Sequence, residues 1–116
     1  MDTLTTADSI MIWFTEQVAK KNPIDPHVWL DGALRLSVML QTEQEKLFVM
    51  EQLIANMRKE HIEKGESVSH AKAIVEASHE YLSTRIQKAK VDRAIEFIKT
   101  SKLYARTSSE LMRNGL

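Results

Sequence analysis

Between Pro26 and Arg106 the chain carries one strong turn, Glu63-Lys64-Gly65-Glu66-Ser67-Val68-Ser69, and no proline after Pro26 itself. Gly65 can take the left-handed conformation that ends a helix, and Lys59 and Lys64 suit that helix's negative end. Ser67 or Ser69 can cap the helix that follows, because a hydroxyl accepts from an orphan backbone N–H. Each flanking arm can run about 38 residues, roughly 57 Å at 1.5 Å per residue. Helices of that length need a partner along their length, and so short a link makes them antiparallel neighbours. The expected fold is all-α: a long antiparallel, coiled-coil-like helical hairpin with arms at 26–64 and 69–106. A short N-terminal helix over 6–21 precedes it, a tail over 107–116 follows, and the whole is a single domain.

Three glycines and two prolines in 116 residues suit long uninterrupted helices. A two-helix hairpin has little interior, so it needs the N-terminal helix, another copy, or both. The chain has no cysteine, which excludes disulfides and thiolate metal sites and fits a reducing cytoplasm. Met1-Asp2 lacks the basic start of a secretory leader. No window approaches the ~18 apolar residues of a membrane span, so no membrane partner is expected.

The first helix should begin at Thr5-Thr6-Ala7-Asp8, with Asp8 standing in for the Glu of a capping box. Ile10, Trp13, Phe14 and Val18 recur at helical spacing and can dock on the hairpin's open end. Pro23 stops this helix near Lys20-Lys21-Asn22. Asp25 then caps the first arm and Pro26 takes its first position, where a missing N–H costs nothing. Trp29, Leu30, Ala33, Leu34, Leu36, Val38, Met39 and Leu40 are apolar nearly all round, which predicts the best-buried stretch. Gly32 and Ala33 are small enough to let another helix approach. Trp29 is expected to join the N-terminal helix to both arms, with Trp13, Ile98 and Leu103 nearby.

At residues 41–45 the apolar face lapses. Either a continuous helix carries a polar patch there, or a kink at 41–44 divides the arm, with Thr42 and Glu45 as a capping box. A heptad follows: Leu40, Leu47, Ile54 and His61 on one seam position, Met50, Met57 and Lys64 on the other. In the second arm Ala71, Ile74, Val75, Ser78, Leu82, Ile86 and Ala89 make one stripe, and Val91, Ala94, Ile95 and Ile98 another. The expected core and oligomer seam is Trp13, Trp29, Leu40, Leu47, Met50, Ile54, Met57, Ile95 and Ile98.

Chemistry-bearing patterns are sparse. His61 and His70 flank the turn beside Glu60, Glu63 and Glu66, but their spacing matches no zinc box. Glu43/Glu45 and Glu76/Glu80 read as solvating charges, and no glycine-rich loop cradles a phosphate. The expectation is a protein with no catalytic residue, no metal and no cofactor.

The net charge of zero is unevenly placed. Residues 1–24 hold two basic and three acidic groups, residues 25–82 six and ten, and residues 83–116 eight and three. The basic end presents Arg85, Lys88, Lys99, Lys102 and Arg106 at spacings that share a broad helix face, with Tyr104 nearby. This face can meet nucleic-acid phosphates or a protein partner. Equally, it can lie beside the first arm's Asp25, Asp31, Glu43 and Glu45.

Residues 24–106 resemble small helical proteins encoded by bacteriophages and prophages. The resemblance rests on Pro26-His27-Val28-Trp29-Leu30, on Ala71-Lys72-Ala73-Ile74-Val75-Glu76-Ala77 with Tyr81, and on the run from Lys90 to Lys99. It implies an accessory of recombination or replication in the host cytoplasm and assigns no functional residue. The expected function is a non-enzymatic helical interaction protein, a homo-oligomer with a dimer as the simplest case. The alternative is nucleic-acid binding through the basic end.

Overall fold

The computed structural model describes residues 4–113. They form four helices and, among the described residues, no strand: α1 (Ala7–Ala19), α2 (Pro26–Glu63), α3 (Val68–Glu76) and α4 (His79–Arg113). The fold is the all-α helical hairpin, with α2 packed against α4.

Helix ends follow from local hydrogen bonding. Thr6, not Thr5, caps α1: Thr6 Oγ1 accepts from the Ser9 backbone N–H at 3.1 Å, and Ser9 Oγ accepts from the Thr6 N–H at 3.2 Å. The capping box therefore lies one residue later than expected, with Ser9 in the reciprocal place given to Asp8. α1 ends in a Schellman motif: the Asn22 N–H reaches the Gln17 carbonyl and the Lys21 N–H that of Val18, both at 3.0 Å. Lys21 takes the left-handed conformation there, φ 57°. Asp25 Oδ1 accepts from the His27 N–H at 2.8 Å and so caps α2.

α2 ends in the same motif with the residue that suits it. Gly65 sits at φ 95°, its N–H bonds Ile62 O at 3.0 Å, and the Glu66 N–H bonds His61 O at 3.2 Å. Of the two candidate serines it is Ser67 that caps α3, accepting from the His70 N–H at 3.1 Å.

The choice left open at 41–45 is decided, and two boundaries differ from the sequence expectation. α2 is unbroken through 41–44, because no Gly, Pro or satisfied cap interrupts its ladder. The second arm is broken, at Ala77-Ser78, where Ser78 Oγ accepts from the Tyr81 N–H at 3.1 Å and donates to Val75 O at 2.5 Å. Ser78 thus caps a new helix within what reads as one continuous arm. Residues 107–113 continue α4 rather than forming a tail. Residues 1–3 and the last three of the expected tail, 114–116, lie outside the described residues.

The chain divides into two compact units, Met1–Gln41 with Asp92–Leu116, and Thr42–Val91. In the first, α1 is a third helix against the paired segments of α2 and α4. Its core holds Ile10, Phe14, Trp29, Ala33, Leu36 and Ile98. Phe14 is wholly buried and lies on Gly32, where an added Cβ would come within 2.4 Å of the ring. Only glycine lets α1 approach so closely. Phe14 stacks on Trp29 at 4.5 Å, and Trp29 stacks in turn on Tyr104 at 5.1 Å.

Trp29 is 6% exposed and sits in the core as expected, but Phe14 rather than Trp13 is its partner from α1. Trp13 is half-buried and packs edge-on to Phe14, while Leu103 is exposed. The apolar-all-round reading of α2 fails at Leu30, Leu34 and Val38, exposed by 48%, 64% and 66%. α4 and α1 together cover only part of that helix's circumference, and these three lie on the rest.

The second unit pairs α2 with α3 and the start of α4. Its buried apolar residues are Ile54, Ala71, Val75 and Val91. Leu82, Ile86 and Ala89, placed in the seam by sequence, are exposed. The break at Ser78 resets the helix, so Thr84 and Gln87 take the inward places.

Candidate functional site

The observed seams are longer and more regular than their apolar content suggests. In α2 the residues at 29, 33, 36, 40, 43, 47, 50, 54, 57 and 61 alternate steps of four and three, and every one is buried or half-buried. In α4 the same is true at 84, 87, 91, 94, 98, 101, 105 and 108. These are heptad positions. The seam candidates at these positions stand accordingly: Ile54 and Ile98 are buried and Leu40, Leu47, Met50 and Met57 half-buried, whereas Ile95 is half-buried but falls beside the seam position at 94 rather than on the seam.

One α2 seam position is occupied by a charge. Glu43 lies within the second unit, its side chain 16% exposed. Gln87 answers it from α4: one Nε2–H set donates to the Glu43 carbonyl at 2.9 Å and to its Oε2 at 2.7 Å. Lys90 Nζ stands 3.7 Å from the same oxygen and Lys46 Nζ 3.6 Å from the other. The Gln87 hydrogen bond, with Lys90 and Lys46 adding to it, holds the Glu43 carboxyl below its ordinary 4.5 against the opposing cost of burial. A polar pair at a single seam position fixes which residues stand opposite each other.

The basic candidates separate between the units. Arg85 and Lys88 belong to the second, where they rim a groove of about 240 Å³. Leu47, Ile54 and Ala55 line its α2 side, Tyr81 and Thr84 its α4 side, and Arg58 and Glu51 complete the rim. Arg58 Nε is sealed from water and donates to nothing. Lys99, Lys102 and Arg106 belong to the first unit and are exposed. Lys99 reaches Glu96 of its own helix at 3.6 Å. Among the described residues Arg85, Lys88, Lys102 and Arg106 form no ion pair. The acids of the first arm therefore form no ion pair with these four, whereas Lys90 crosses from α4 to α2 to reach Glu43. Tyr104 is 48% exposed, with its ring laid on Trp29.

Sequence reasoning missed Arg58, Tyr81, Glu43 and Gln87. For Glu43 the signal was arithmetic: it falls seven residues before Met50, on the same seam position. His61 and His70 form no metal-holding group with the neighbouring acids. His61 Nδ1 instead lies 2.9 Å from Glu66 Oε2 across the end of α2. Among the described residues no group of three or more His, Asp or Glu could hold a metal ion, and no helix is long and apolar enough to cross a membrane.

Compared with models of known protein families, with curated proteins and with solved structures, the chain matches none.

Proposed function

We propose that this chain is a non-enzymatic helical interaction protein that assembles with copies of itself. The observation that carries the reading is the second unit's unfinished packing. It buries four apolar residues, while Phe48, Val49, Leu53, Ile62, Val68, Leu82 and Ile86 remain between 43% and 69% exposed. Two packed helices cannot bury enough surface to offset chain entropy, and a partner supplies the missing layer. The phage-protein resemblance suits such an accessory. Sedimentation equilibrium across micromolar concentrations tests it: the expected mass is a multiple of 13.3 kDa, and a well-folded monomer throughout would refute it.

A second reading, nucleic-acid binding, is favoured by the unpaired cations Lys102 and Arg106 beside Lys99 on one helix. Phosphate contacts of this kind give an affinity that falls steeply with salt. Triple replacement of Lys99, Lys102 and Arg106 by Glu should abolish binding to single- or double-stranded DNA at low salt and leave the helical signal unchanged. Wild-type protein that fails to bind DNA or RNA at low salt removes this reading.

A further inference from the structure

We infer that the groove of the second unit receives the outer ridge of α1 from another copy of the chain. The inference rests on the self-assembly proposed above and names the two surfaces that meet. The first unit shows what a pair of helices in this protein needs. There α1 is the third helix, and Phe14 fills the hollow over Gly32. In the second unit α2 pairs with α3 and the start of α4, no helix corresponding to α1 lies on that pair, and its groove lies open along α2 and α4.

Charge selects the occupant. Arg58, Arg85 and Lys88 stand around an apolar floor of Leu47 and Ile54, against one anion, Glu51. Residues 42–91 hold eight Lys/Arg and eight Asp/Glu, so the groove's excess of cations is a local segregation and not a property of the whole unit. A neutral unit exerts little long-range pull on a polyanion. It matches a ligand with a few anions placed about an apolar group.

The outer face of α1 has that chemistry. Asp8, Ile12 and Glu16 follow one another at steps of four, and all three are exposed, Ile12 by 56%. Residues four apart share a helix face, so the ridge reads acid, aliphatic, acid over about 12 Å. The groove runs from Leu47 to Arg58 along α2, about 16 Å, long enough to take it. α1 carries no basic residue between Ala7 and Ala19. Arg93 lines the same hollow as Asp8 and Glu16 but pairs with neither, so both carboxylates are available. In the docked pair Ile12 lies on Leu47 and Ile54, and the two acids meet the cations on either side.

The test is a charge exchange read by analytical ultracentrifugation at low salt. One variant carries Arg85→Glu and Lys88→Glu, the other Asp8→Lys and Glu16→Lys. All four positions are exposed, so both variants should keep the wild-type helical signal. Each alone sets like charges against each other, and its self-association should weaken at least tenfold. Mixed in equal amounts, each α1 meets a groove of opposite sign, and assembly should return. Wild-type protein that assembles while the reversals change nothing, or a mixture that stays dissociated, overturns the inference and leaves self-assembly standing. A monomeric wild type overturns both.

Discussion

Both units are built on α2 and α4, the second with α3 besides, and they reach different ends. In the first, nine apolar residues are buried, and aromatic rings from three elements stack on one another. In the second, four are buried, and its seam carries a glutamate, a glutamine and a threonine in places where the first has Leu36, Ala94 and Ile98. The difference is α1. A hairpin of heptad helices offers one stripe per helix, and that stripe alone makes a thin core. A third helix converts the flank of the pair into interior. The first unit obtains it from its own chain; in the proposed assembly the second obtains it from another molecule.

The contrast is broken most severely at Phe14. Phe14→Ala removes a fully buried ring that touches Trp29 and Phe97, and should cost about 3–5 kcal/mol in urea unfolding. The same truncation at half-buried Trp13 should cost clearly less. Equal small losses would mean that the aromatic stack is not the first unit's core. Gly32→Ala probes the same contact from the other side. Its Cβ would overlap Phe14, and overpacking of this kind costs about 1–3 kcal/mol.

In the second unit the largest single expected effect is at the seam charge. Gln87→Leu leaves the Glu43 carboxylate in a half-buried place without its hydrogen-bond donor, a loss of about 1.5–3 kcal/mol. The pH dependence has a definite sign. Glu43 is held below its ordinary value of 4.5 in the folded state. Its contribution is therefore fully present above pH 4.5 and fades as pH falls through the lower folded value. Glu43→Gln should flatten that acid limb of the stability curve. An unchanged limb would show that the pair does not act as described. Ser78→Ala removes the cap of α4 and should cost about 1 kcal/mol, felt first in hydrogen exchange of the following turn.

The smallest effect is a gain. Lys21 pays for a left-handed backbone that glycine adopts freely, so Lys21→Gly should raise stability by about 0.5–1 kcal/mol, seen as a higher melting temperature. A loss would mean that the Schellman ending of α1 is not formed in solution.

Much of this architecture is legible from residues alone, because glycine, proline and caps act locally. Gly65 and Ser67 mark the turn, and Asp25-Pro26 marks the start of α2. The seam is harder, since periodicity is read from apolar residues and Glu43 and Gln87 are not apolar. Their place is set by a partner 44 residues away, which no local pattern carries. Ser78 is hidden for a similar reason: a serine capping a new turn looks like a small residue in a stripe. Leu34 and Val38 mislead in the opposite direction, since apolarity says only that burial is favourable, not that a neighbour is present. Of the groove, Arg85 and Lys88 were visible as part of a basic face, whereas Arg58 and Tyr81 join them only through the pairing of α2 with α4.

The claim that α1 supplies the first unit's third helix and another copy supplies the second's is tested most directly by residue-resolved amide hydrogen exchange over a concentration series. Protection at Phe14, Leu36 and Ile98 should stay constant from the lowest concentration upward. Protection around Ile54, Val75 and Tyr81 should rise with concentration as the second unit gains its partner. Protection that is equally strong in both units at every concentration would contradict the account.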